Sequence, residues 1–376
     1  MQYRLSLLFL FPFLLTAQVL AATIDVHQGD DVAEKIASAN FGDTVVFGSG
    51  TFNVNQPVTI PSGVTIMGLS SNSSHLVFNL AGNDDSLYAM EIAGNASDVT
   101  IEELDITSNH GIMLMAQGDG YSNIVITRNN LQSGGGQSSN GVLVFAISGW
   151  ISNDGLQVTH NYFHDSPQCA RNWTVFFPTN ANFDYNEFYN INDGGQIAYP
   201  GPNVSCSYNY GTHIHRMGQE IALVPQSTLT CTGNVFYDYV NPYYDTEGVS
   251  IVGDSGEVDI TNNFFDASIA AGSSWGQADS GGTQRFGYGI ECTGQPCNVT
   301  GNTIVGTWAE CVSSDIVNAN VSNNKVFGSG LWGNFEGEPG ASGYGSVKVA
   351  NNALQNVASA PTPPANDFAG PRKHSR

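Results

Sequence analysis

Short runs of alternating apolar and polar residues, each closed by an asparagine, recur along most of the chain. Ile126–Asn129, Val158–Asn161 and Phe183–Asn186 share this frame, and an apolar residue usually follows two places after the asparagine. The frame returns with Asn209, Asn234, Asn263, Asn302, Asn324 and Asn352. Alternation with period two is typical of β-strands. Successive asparagines lie 22 to 39 residues apart, which predicts one coil of a parallel β-helix for each repeat.

Asparagine suits a stacked turn for two reasons. Its backbone tolerates the left-handed conformation of a tight turn, and its side-chain amide can pair with the coils above and below at about 4.8 Å. We therefore predict that these asparagines form a structural ladder and not a chemical site.

A second family of strands begins 12 to 19 residues before each asparagine. If Ile112, Val142, Ile197, Ile221, Val249 and Ile290 point inward, alternation turns the preceding residues outward, namely Gly111, Gly141, Gln196, Glu220, Gly248 and Gly289. Outward glycines weaken a strand unless something must lie close against the backbone. The column therefore indicates the floor of a groove, with glycine simply starting each strand after a turn as the alternative.

The first residues have the pattern of a secretory signal peptide. Met1–Arg4 is a short basic start, Leu5–Leu15 an apolar run and Val19–Ala22 a small-residue cleavage site. The run is shorter than the roughly 20 apolar residues needed to span a bilayer. We expect residues 1–22 to be removed and the mature protein to be secreted.

The segment after the signal peptide carries a resemblance to a known superfamily. A short amphipathic helix is predicted at Asp30–Ala37, able to cap the open end of the stack. This helix, followed by the β-prone runs Gly42–Phe52 and Val58–Gly68, resembles the opening of pectin-lyase-like proteins, and the asparagine-ended repeats extend the resemblance to about Leu354. The resemblance implies an all-β fold, a single-stranded right-handed parallel β-helix with a short N-terminal capping helix.

The resemblance leaves the reaction open, because lyases, hydrolases, epimerases and surface proteins share this fold. No catalytic string of polygalacturonases, pectin methylesterases or the best-known pectate lyases is present. We expect one β-helix domain over residues 23–357 and a disordered tail over residues 358–376, which lacks a strand pattern.

Charge narrows the range of partners. Lys+Arg 11 against Asp+Glu 33 gives a formal net charge of −22, which would repel nucleic acid and anionic lipid alike. We therefore expect a monomer whose partner is an extracellular polysaccharide, with no nucleic acid and no membrane. Asn-X-Ser/Thr sequons that would allow N-glycosylation begin at Asn72, Asn95, Asn172, Asn203, Asn298 and Asn320.

Six cysteines in an exported chain favour disulfides over a metal site. Cys206 and Cys231 occupy the same place in neighbouring coils, and the coil spacing of about 4.8 Å matches the Cα separation of a disulfide. We predict that they are bonded or packed as adjacent thiols. Cys297 could close a small loop with Cys292, and Cys311 in the following coil competes.

Basic residues are scarce, and three of them precede strands of the second family. Arg171, Arg216 and Arg285 would line one edge of the groove at intervals of about 10 Å. Arginine binds carboxylates in bidentate geometry, so this stripe would suit a polyuronate; three separate ion pairs are the alternative.

Polysaccharide lyases and uronate epimerases also need a base that removes the C5 proton. His213, His215, Tyr288 and His110 are candidates beside the arginine edge, and His213 and His215 would share one face of a strand. Structural histidines are the alternative. Trp275, in a loop with nearby rings, could stack against sugar.

Acidic residues offer a rival chemistry. Glu220, Glu247 and Glu291 lie on or near the groove, where neighbouring coils would hold carboxylates about 5 Å apart and alternate coils about 10 Å apart. These separations bracket those of retaining and inverting glycosidases. The same acids, with Asp245 and Asp254, could instead bind Ca²⁺, the one cofactor that the sequence suggests.

Together these features predict a secreted enzyme that acts on an acidic polysaccharide by proton abstraction, as a lyase or a C5 epimerase. A glycoside hydrolase and a non-catalytic glycan-binding or surface protein are the alternatives. The residues expected in catalysis are His213, His215, Arg216, Glu220 and Glu247, and those expected to contact substrate are His110, Arg171, Arg285, Tyr288, Glu291 and Trp275.

Overall fold

The computed structural model describes residues 21–82, 87–115, 120–134, 144–146, 153–166, 173–222, 227–237, 246–252, 256–266, 287–292, 297–305, 310–313, 319–327, 348–350, 353–355 and 364–365. Within these ranges only the backbone is described for residues 114–115, 144–146, 215–220, 222, 246–252, 287–289, 291–292, 310–313, 319, 326–327, 348–350 and 353–355. The predicted signal peptide and tail therefore lie almost entirely outside the described residues, and the proposed domain boundaries stay predictions.

The described strands form a parallel β-helix, as the repeat predicts. Every strand pair in the described part of the chain is parallel and joins one coil to the next, in one sheet of 15 strands and one of 21 strands. Three ladders run along the stack, because the larger sheet contains two ladders that share one long strand, Tyr210–Ala222. We call each coil a rung and number the rungs by the order of their strands in ladder 1.

The strands of ladder 1 are Thr23–Val26, Thr44–Phe47, Thr65–Gly68, Ser97–Glu102, Tyr121–Thr127, Gln157–Thr159, Ala181–Asn182, Val204–Ser205, Thr228–Thr232, Glu257–Thr261, Cys297–Thr300, Ala319–Ser322 and Lys348–Ala350, with the short Asn153–Asp154 and Pro178–Thr179 at its side. Ladder 2 comprises Gly50–Val54, Ser74–Phe78, Asp105–Ser108, Asn130–Ser133, Tyr162–Ser166, Glu187–Asp193, the first part of Tyr210–Ala222, Val235–Tyr237, Phe264–Asp266, Thr303–Val305, Lys325–Phe327 and Ala353–Gln355.

Ladder 3 comprises Val58–Ile60, Tyr88–Ile92, Gly111–Met115, Val144–Ala146, Thr174–Phe176, Gln196–Ala198, the last part of Tyr210–Ala222, Thr246–Val252, Gly287–Cys292 and Glu310–Ser313. Tyr210–Ala222 belongs to rung 8. It pairs with both neighbouring rungs in ladder 2 and again in ladder 3, so one unbroken strand crosses the corner between them.

A helix of six residues, Val32–Ala37, lies at the N-terminal end within the predicted helical segment. Asp31 caps it by accepting a hydrogen bond from the backbone N–H of Glu34 at 3.0 Å, and Val32 and Ile36 are buried. The helix packs against the first strand of ladder 3. That it caps the whole stack stays a prediction. Among the described residues, no helix has the length and apolar character needed to cross a membrane.

The core draws buried residues from all three ladders, and ladder 2 contributes a column of inward side chains, one from each of rungs 2 to 11. The column consists of Phe52, Leu76, Ile106, Leu131, Phe163, Phe188, Gly211, Phe236, Phe265 and Ile304. All the non-glycine members are buried, and Phe236 stacks on Phe265 with ring centroids 5.9 Å apart. Gly211 is required by close approach, because a Cβ there would lie 2.7 Å from the ring of Phe236.

The asparagine ladder is confirmed for Asn129, Asn161, Asn186, Asn209, Asn234, Asn263, Asn302 and Asn324, all of them buried. Each Nδ2 up to Asn302 donates to the Oδ1 of the next asparagine, at 2.9 to 3.2 Å. One detail differs from the expectation. The left-handed backbone belongs to the residue before the asparagine, with φ of 53° to 59° at Arg128, His160, Tyr185, Tyr208, Asn262 and Asn323.

The cysteine prediction also tests the register of the coils. Cys206 and Cys231 form a disulfide with a Cα–Cα distance of 4.9 Å, and both are fully buried. Cys297 is disulfide-bonded as well. The side chains of Cys292 and Cys311, its two predicted alternatives, lie outside the described residues.

Candidate active site on ladder 3

The outer face of ladder 3 is defined by a buried inner column. Val175, Ile197 and Ile221 are successive Cα partners, and each is at most 1% exposed. The residue before each of them belongs to the opposite face, because side chains alternate along a strand. The register continues this outer column through Thr174, Gln196, Glu220, Ser250, Glu291 and Ser313.

This register corrects the predicted glycine column. Ile221 pairs with Ile251 and not with Val249, so Glu220 lies beside Ser250 and not beside Gly248. Gly248 and Gly289 each precede one member of the pair Val249–Ile290 and thus share a separate column. In rung 4, Met113 rather than Ile112 pairs with the buried Met90, and Ile112 is buried in the core as well. Gly141 lies outside the described residues.

Two glutamates share the outer column. Glu220 in rung 8 pairs with Ser250 in rung 9, and Ser250 pairs with Glu291 in rung 10. Two rung spacings place the Cα atoms of Glu220 and Glu291 about 9.6 Å apart. Ser250, which the sequence did not single out, lies between them and offers a hydroxyl.

A second column of paired residues contains Glu247, which precedes Ser250 by three positions and so lies nearer the corner between ladders 2 and 3. Glu247 pairs with Met217 on one side and with Tyr288 on the other, and Tyr288 pairs with Glu310 in rung 11. Three residues separate Glu247 from Ser250, so strict alternation assigns them to opposite faces of the strand. The structure therefore places Glu247 in rung 9, between the rungs of Glu220 and Glu291, but not in their column.

The corner in rung 8 contains an irregularity at two predicted residues. Ile191 pairs with Ile214, whereas Asp193 pairs with Met217, so the strand Tyr210–Ala222 has one extra residue between these pairs. The extra residue falls at His215–Arg216. Bulges of this kind are over-represented next to active sites, where they change the direction of side chains.

His213 lies in the same strand but in its ladder 2 part, beyond Thr212, which pairs with Tyr189. Its φ is 54°, its ring lies 5.0 Å from the ring of Tyr189, and Nδ1 is 3.4 Å from the Thr212 hydroxyl. The predicted shared face of His213 and His215 rested on regular alternation. The left-handed residue and the bulge interrupt that alternation, so the argument from parity does not hold.

His110 does not lie beside these residues. It precedes the strand Gly111–Met115 in rung 4, four rungs or about 19 Å from rung 8. The residue is 4% exposed; its backbone N–H donates to Ser108 Oγ at 3.0 Å, and its carbonyl accepts from Ser133 Oγ at 2.7 Å. These contacts are those of a structural corner.

Three predicted residues, Arg171, Arg285 and Trp275, lie outside the described residues, so the arginine stripe and the stacking loop stay predictions. Asp245 and Asp254, the further acids considered for Ca²⁺, lie outside them too. Among the residues whose side chains are described, no group of three or more His, Cys, Asp or Glu is placed to hold a metal ion.

The local charge is strongly negative. The described ladder 3 strands of rungs 8 to 11 carry Glu220, Glu247, Glu291 and Glu310 against a single arginine, Arg216. This patch of ladder 3 therefore combines four glutamates, two of them in the outer column, with His215 and Arg216 at the bulge.

The sequence analysis did not identify an aromatic group at the C-terminal ends of two ladder 3 strands. Phe176 ends the rung 6 strand, Phe177 follows it, and Tyr199 follows the rung 7 strand Gln196–Ala198. The rings of Phe177 and Tyr199 are stacked, with centroids 5.3 Å apart. The signal in the sequence is the aromatic residue directly after each of these two strands.

Comparisons with known proteins identify the fold. No protein-family model matches the chain, and no curated protein is similar to it in sequence. Among solved structures, the A-module of the mannuronan C-5 epimerase AlgE4 of Azotobacter vinelandii is similar at a TM-score of 0.57 and 12% identity, over 90% of this chain and 96% of that one. The AlgE6 A-module of the same organism gives 0.50 and 12%, over 89% and 94%.

A variant of the catalytic domain of a GH87 α-1,3-glucanase in complex with nigerose is similar at a TM-score of 0.53 and 12% identity, over 90% of this chain and 65% of that one. At this identity the likeness shows the fold alone. That fold is a parallel β-helix, and these neighbours are carbohydrate-active enzymes.

Proposed function

We propose that the protein is a secreted enzyme that acts on a polysaccharide lying along ladder 3, with Glu220 and Glu291 as its acid–base pair. One observation carries the proposal: the register places these two glutamates in one outer column, two rungs apart. Carboxyl groups about 6.5–9.5 Å apart are typical of inverting glycosidases, and glutamate side chains on Cα atoms about 9.6 Å apart can reach that separation. One carboxylic acid would protonate the leaving oxygen while the other carboxylate activates a water molecule.

The charge of the patch favours a neutral glycan over a polyuronate. Among the described residues, Glu220 and Glu291 share the outer column and would repel each carboxylate of a uronate chain, and a neutral chain meets no such repulsion. The glucanase among the fold neighbours shows that this fold accommodates glucan hydrolysis. Hydrolysis of a neutral polysaccharide is therefore our first candidate, ahead of the elimination that the sequence alone favoured.

Secretion is part of the proposal. The signal pattern of residues 1–22 and the disulfide between Cys206 and Cys231 both support an oxidising, extracellular location.

Elimination or C5 epimerisation of a polyuronate is the second candidate, and the bulge at His215–Arg216 favours it. Arg216 would bind the uronate carboxylate and His215 would take the C5 proton, with His213 as the other base in the same strand. Glu220 and Glu247 carry the oxygen ligands that Ca²⁺ prefers, and a bound cation would offset the repulsion between glutamate and uronate carboxylates. This candidate therefore predicts that a chelator abolishes turnover.

The test is a substrate panel with two readouts. The purified protein is incubated with neutral α- and β-glucans, polygalacturonate and alginate, and both new reducing ends and absorbance of an unsaturated uronate are recorded. Reducing ends without the chromophore support hydrolysis, and the chromophore supports the second candidate. For C5 epimerisation, which produces neither signal, the proton NMR spectrum of the polyuronate is followed.

Variants then test the two glutamates. Glu220→Gln and Glu291→Gln are each expected to lower kcat by about 10²-fold or more, the usual contribution of a general acid or base. Glu257→Gln is the matched control, because Glu257 is exposed on ladder 1; its kcat should stay within about twofold. Unchanged kcat in both ladder 3 variants would overturn the assignment, and binding without any product would indicate a non-catalytic glycan-binding protein.

A further inference from the structure

Three aromatic side chains form a compact group where ladder 3 turns toward ladder 1. We call Phe176, Phe177 and Tyr199 the aromatic corner. Phe177 and Tyr199 stack at 5.3 Å with an interplanar angle of 24°, and the ring of Phe176 lies 6.4 Å from Phe177 and 6.5 Å from Tyr199. The corner spans rungs 6 and 7, directly below the rung of Glu220.

The backbone holds the corner in place. The buried Asn153 donates from Nδ2 to the carbonyl of Phe176 at 2.7 Å, and its backbone N–H donates to the carbonyl of Phe177 at 3.1 Å. The Phe177 N–H donates to the carbonyl of Ala198 at 2.8 Å. Phe177 and Tyr199 have φ of 51° and 56°, a region uncommon for bulky residues. Rings fixed in this way lose little conformational entropy when a ligand binds.

Core packing does not explain the corner. Tyr199 is 39% exposed, and Phe176 and Phe177 are half-buried, whereas Trp173 in the same rung is fully buried. An exposed, ordered aromatic cluster beside a concave or catalytic face is a common feature of ligand sites.

The corner is continuous with the glutamate column. Phe176 lies two residues beyond Thr174, so both belong to the outer face. Its register partners in the next rungs are Ala198 and then Ala222, which follows Glu220 by two positions. This register links the exposed aromatic rings to the rung of Glu220 through Ala198, which is itself 4% exposed.

We propose that the aromatic corner is a binding subsite for a pyranose ring of the polysaccharide chain that occupies ladder 3. The C–H groups of one pyranose face carry partial positive charge, and they pack on the negative face of an aromatic ring. The inference rests on the proposed function in that the same chain would reach Glu220 and Glu291. It assigns to the corner the sugar units next to those at the carboxylates.

The test measures binding, so that it does not depend on turnover. Tyr199→Asn is the main variant, because asparagine tolerates the left-handed backbone at this position. Tyr208→Asn is the matched control: Tyr208 is 48% exposed, has a φ of 58° and stacks on Tyr185 at 4.9 Å, but lies at the corner between ladders 1 and 2. Phe176→Ala is the second variant at the corner.

Affinity electrophoresis in gels that contain each glucan, polygalacturonate or alginate gives Kd at a temperature where turnover is slow. Tyr199→Asn and Phe176→Ala are each expected to weaken binding of the recognised polysaccharide about tenfold, equal to about 1.4 kcal/mol. Tyr208→Asn should change Kd less than twofold. Circular dichroism and melting temperature identify the variants that remain folded.

Wild-type affinity in both corner variants would overturn the inference, as would an equal loss in Tyr208→Asn or the failure of the wild-type protein to bind any of the polysaccharides. The outcome is separable from that of the proposed function. If Glu220→Gln and Glu291→Gln turn over normally while Tyr199→Asn and Phe176→Ala lose affinity, the subsite stands and the acid–base assignment falls.

Discussion

Replacing Asn209 by alanine tests whether the buried asparagine ladder holds the rung of the candidate site. Asn209 is 1% exposed and directly precedes the strand Tyr210–Ala222. Its Nδ2 donates to the Phe183 carbonyl at 2.9 Å and to Asn234 Oδ1 at 3.1 Å. Its Oδ1 accepts from the Asn186 backbone N–H at 2.9 Å and from Asn186 Nδ2 at 3.2 Å. Alanine would remove all four hydrogen bonds.

The cost is smaller than four separate losses, because some partners keep another hydrogen bond. Asn186 Nδ2 still donates to the Val158 carbonyl, and Asn234 Oδ1 still accepts from the Asn209 backbone N–H. The Asn186 backbone N–H loses its acceptor in a buried place, and the Phe183 carbonyl loses a donor. An unsatisfied buried group costs about 1–3 kcal/mol, so we expect the free energy of unfolding to fall by about 2–4 kcal/mol.

Urea unfolding, followed by tryptophan fluorescence and circular dichroism, measures this change if the m-value is unaltered. Asn182→Ala is the control, because Asn182 is exposed on ladder 1; it should change stability by less than about 0.5 kcal/mol. Faster hydrogen exchange at the Asn186 amide in Asn209→Ala would locate the effect. A loss below about 1 kcal/mol, or one equal to that of Asn182→Ala, would refute the reasoning.

Two further predictions concern the scaffold. Replacing Cys206 and Cys231 with alanine removes the disulfide and should lower the free energy of unfolding by about 3.5 kcal/mol, because the bond closes a loop with a sequence separation of 25. A change under about 1 kcal/mol in urea unfolding would contradict this prediction. Burial, followed by the charge of Arg128, lowers the pKa of His160 from 6.5. The neutral form is therefore favoured in the folded state, so stability should be complete above pH 6.5 and decline as the pH falls toward the lowered pKa. His160→Gln should reduce this decline in melting temperature between pH 7 and pH 5; an identical pH profile in the variant would count against it.

The repeat could be predicted from sequence because its energetic determinants are local and periodic. Each ladder asparagine satisfies backbone groups of the preceding rung and donates to the side-chain amide of the next asparagine, so the same residue must return in every coil. The cysteine pair follows from the same period, since Cys206 and Cys231 each stand three positions before a ladder asparagine. The aromatic corner could not be predicted because Phe176 and Tyr199 come into contact only when two rungs stack. Their positions also share no sequence period with the other coils.

The membership of the candidate site could not be predicted because a shift of two residues leaves an alternating pattern unchanged. Val249 and Ile251 both satisfy the inward positions of Thr246–Val252, so the apolar pattern cannot decide which of them pairs with Ile221. The extra residue at His215–Arg216 and the unequal corner lengths decide it instead. Pairing with Val249 would have left Glu220 beside a glycine; pairing with Ile251 places it in line with Ser250 and Glu291. The proposed carboxylate pair therefore depends on a register that only the hydrogen bonds between coils determine.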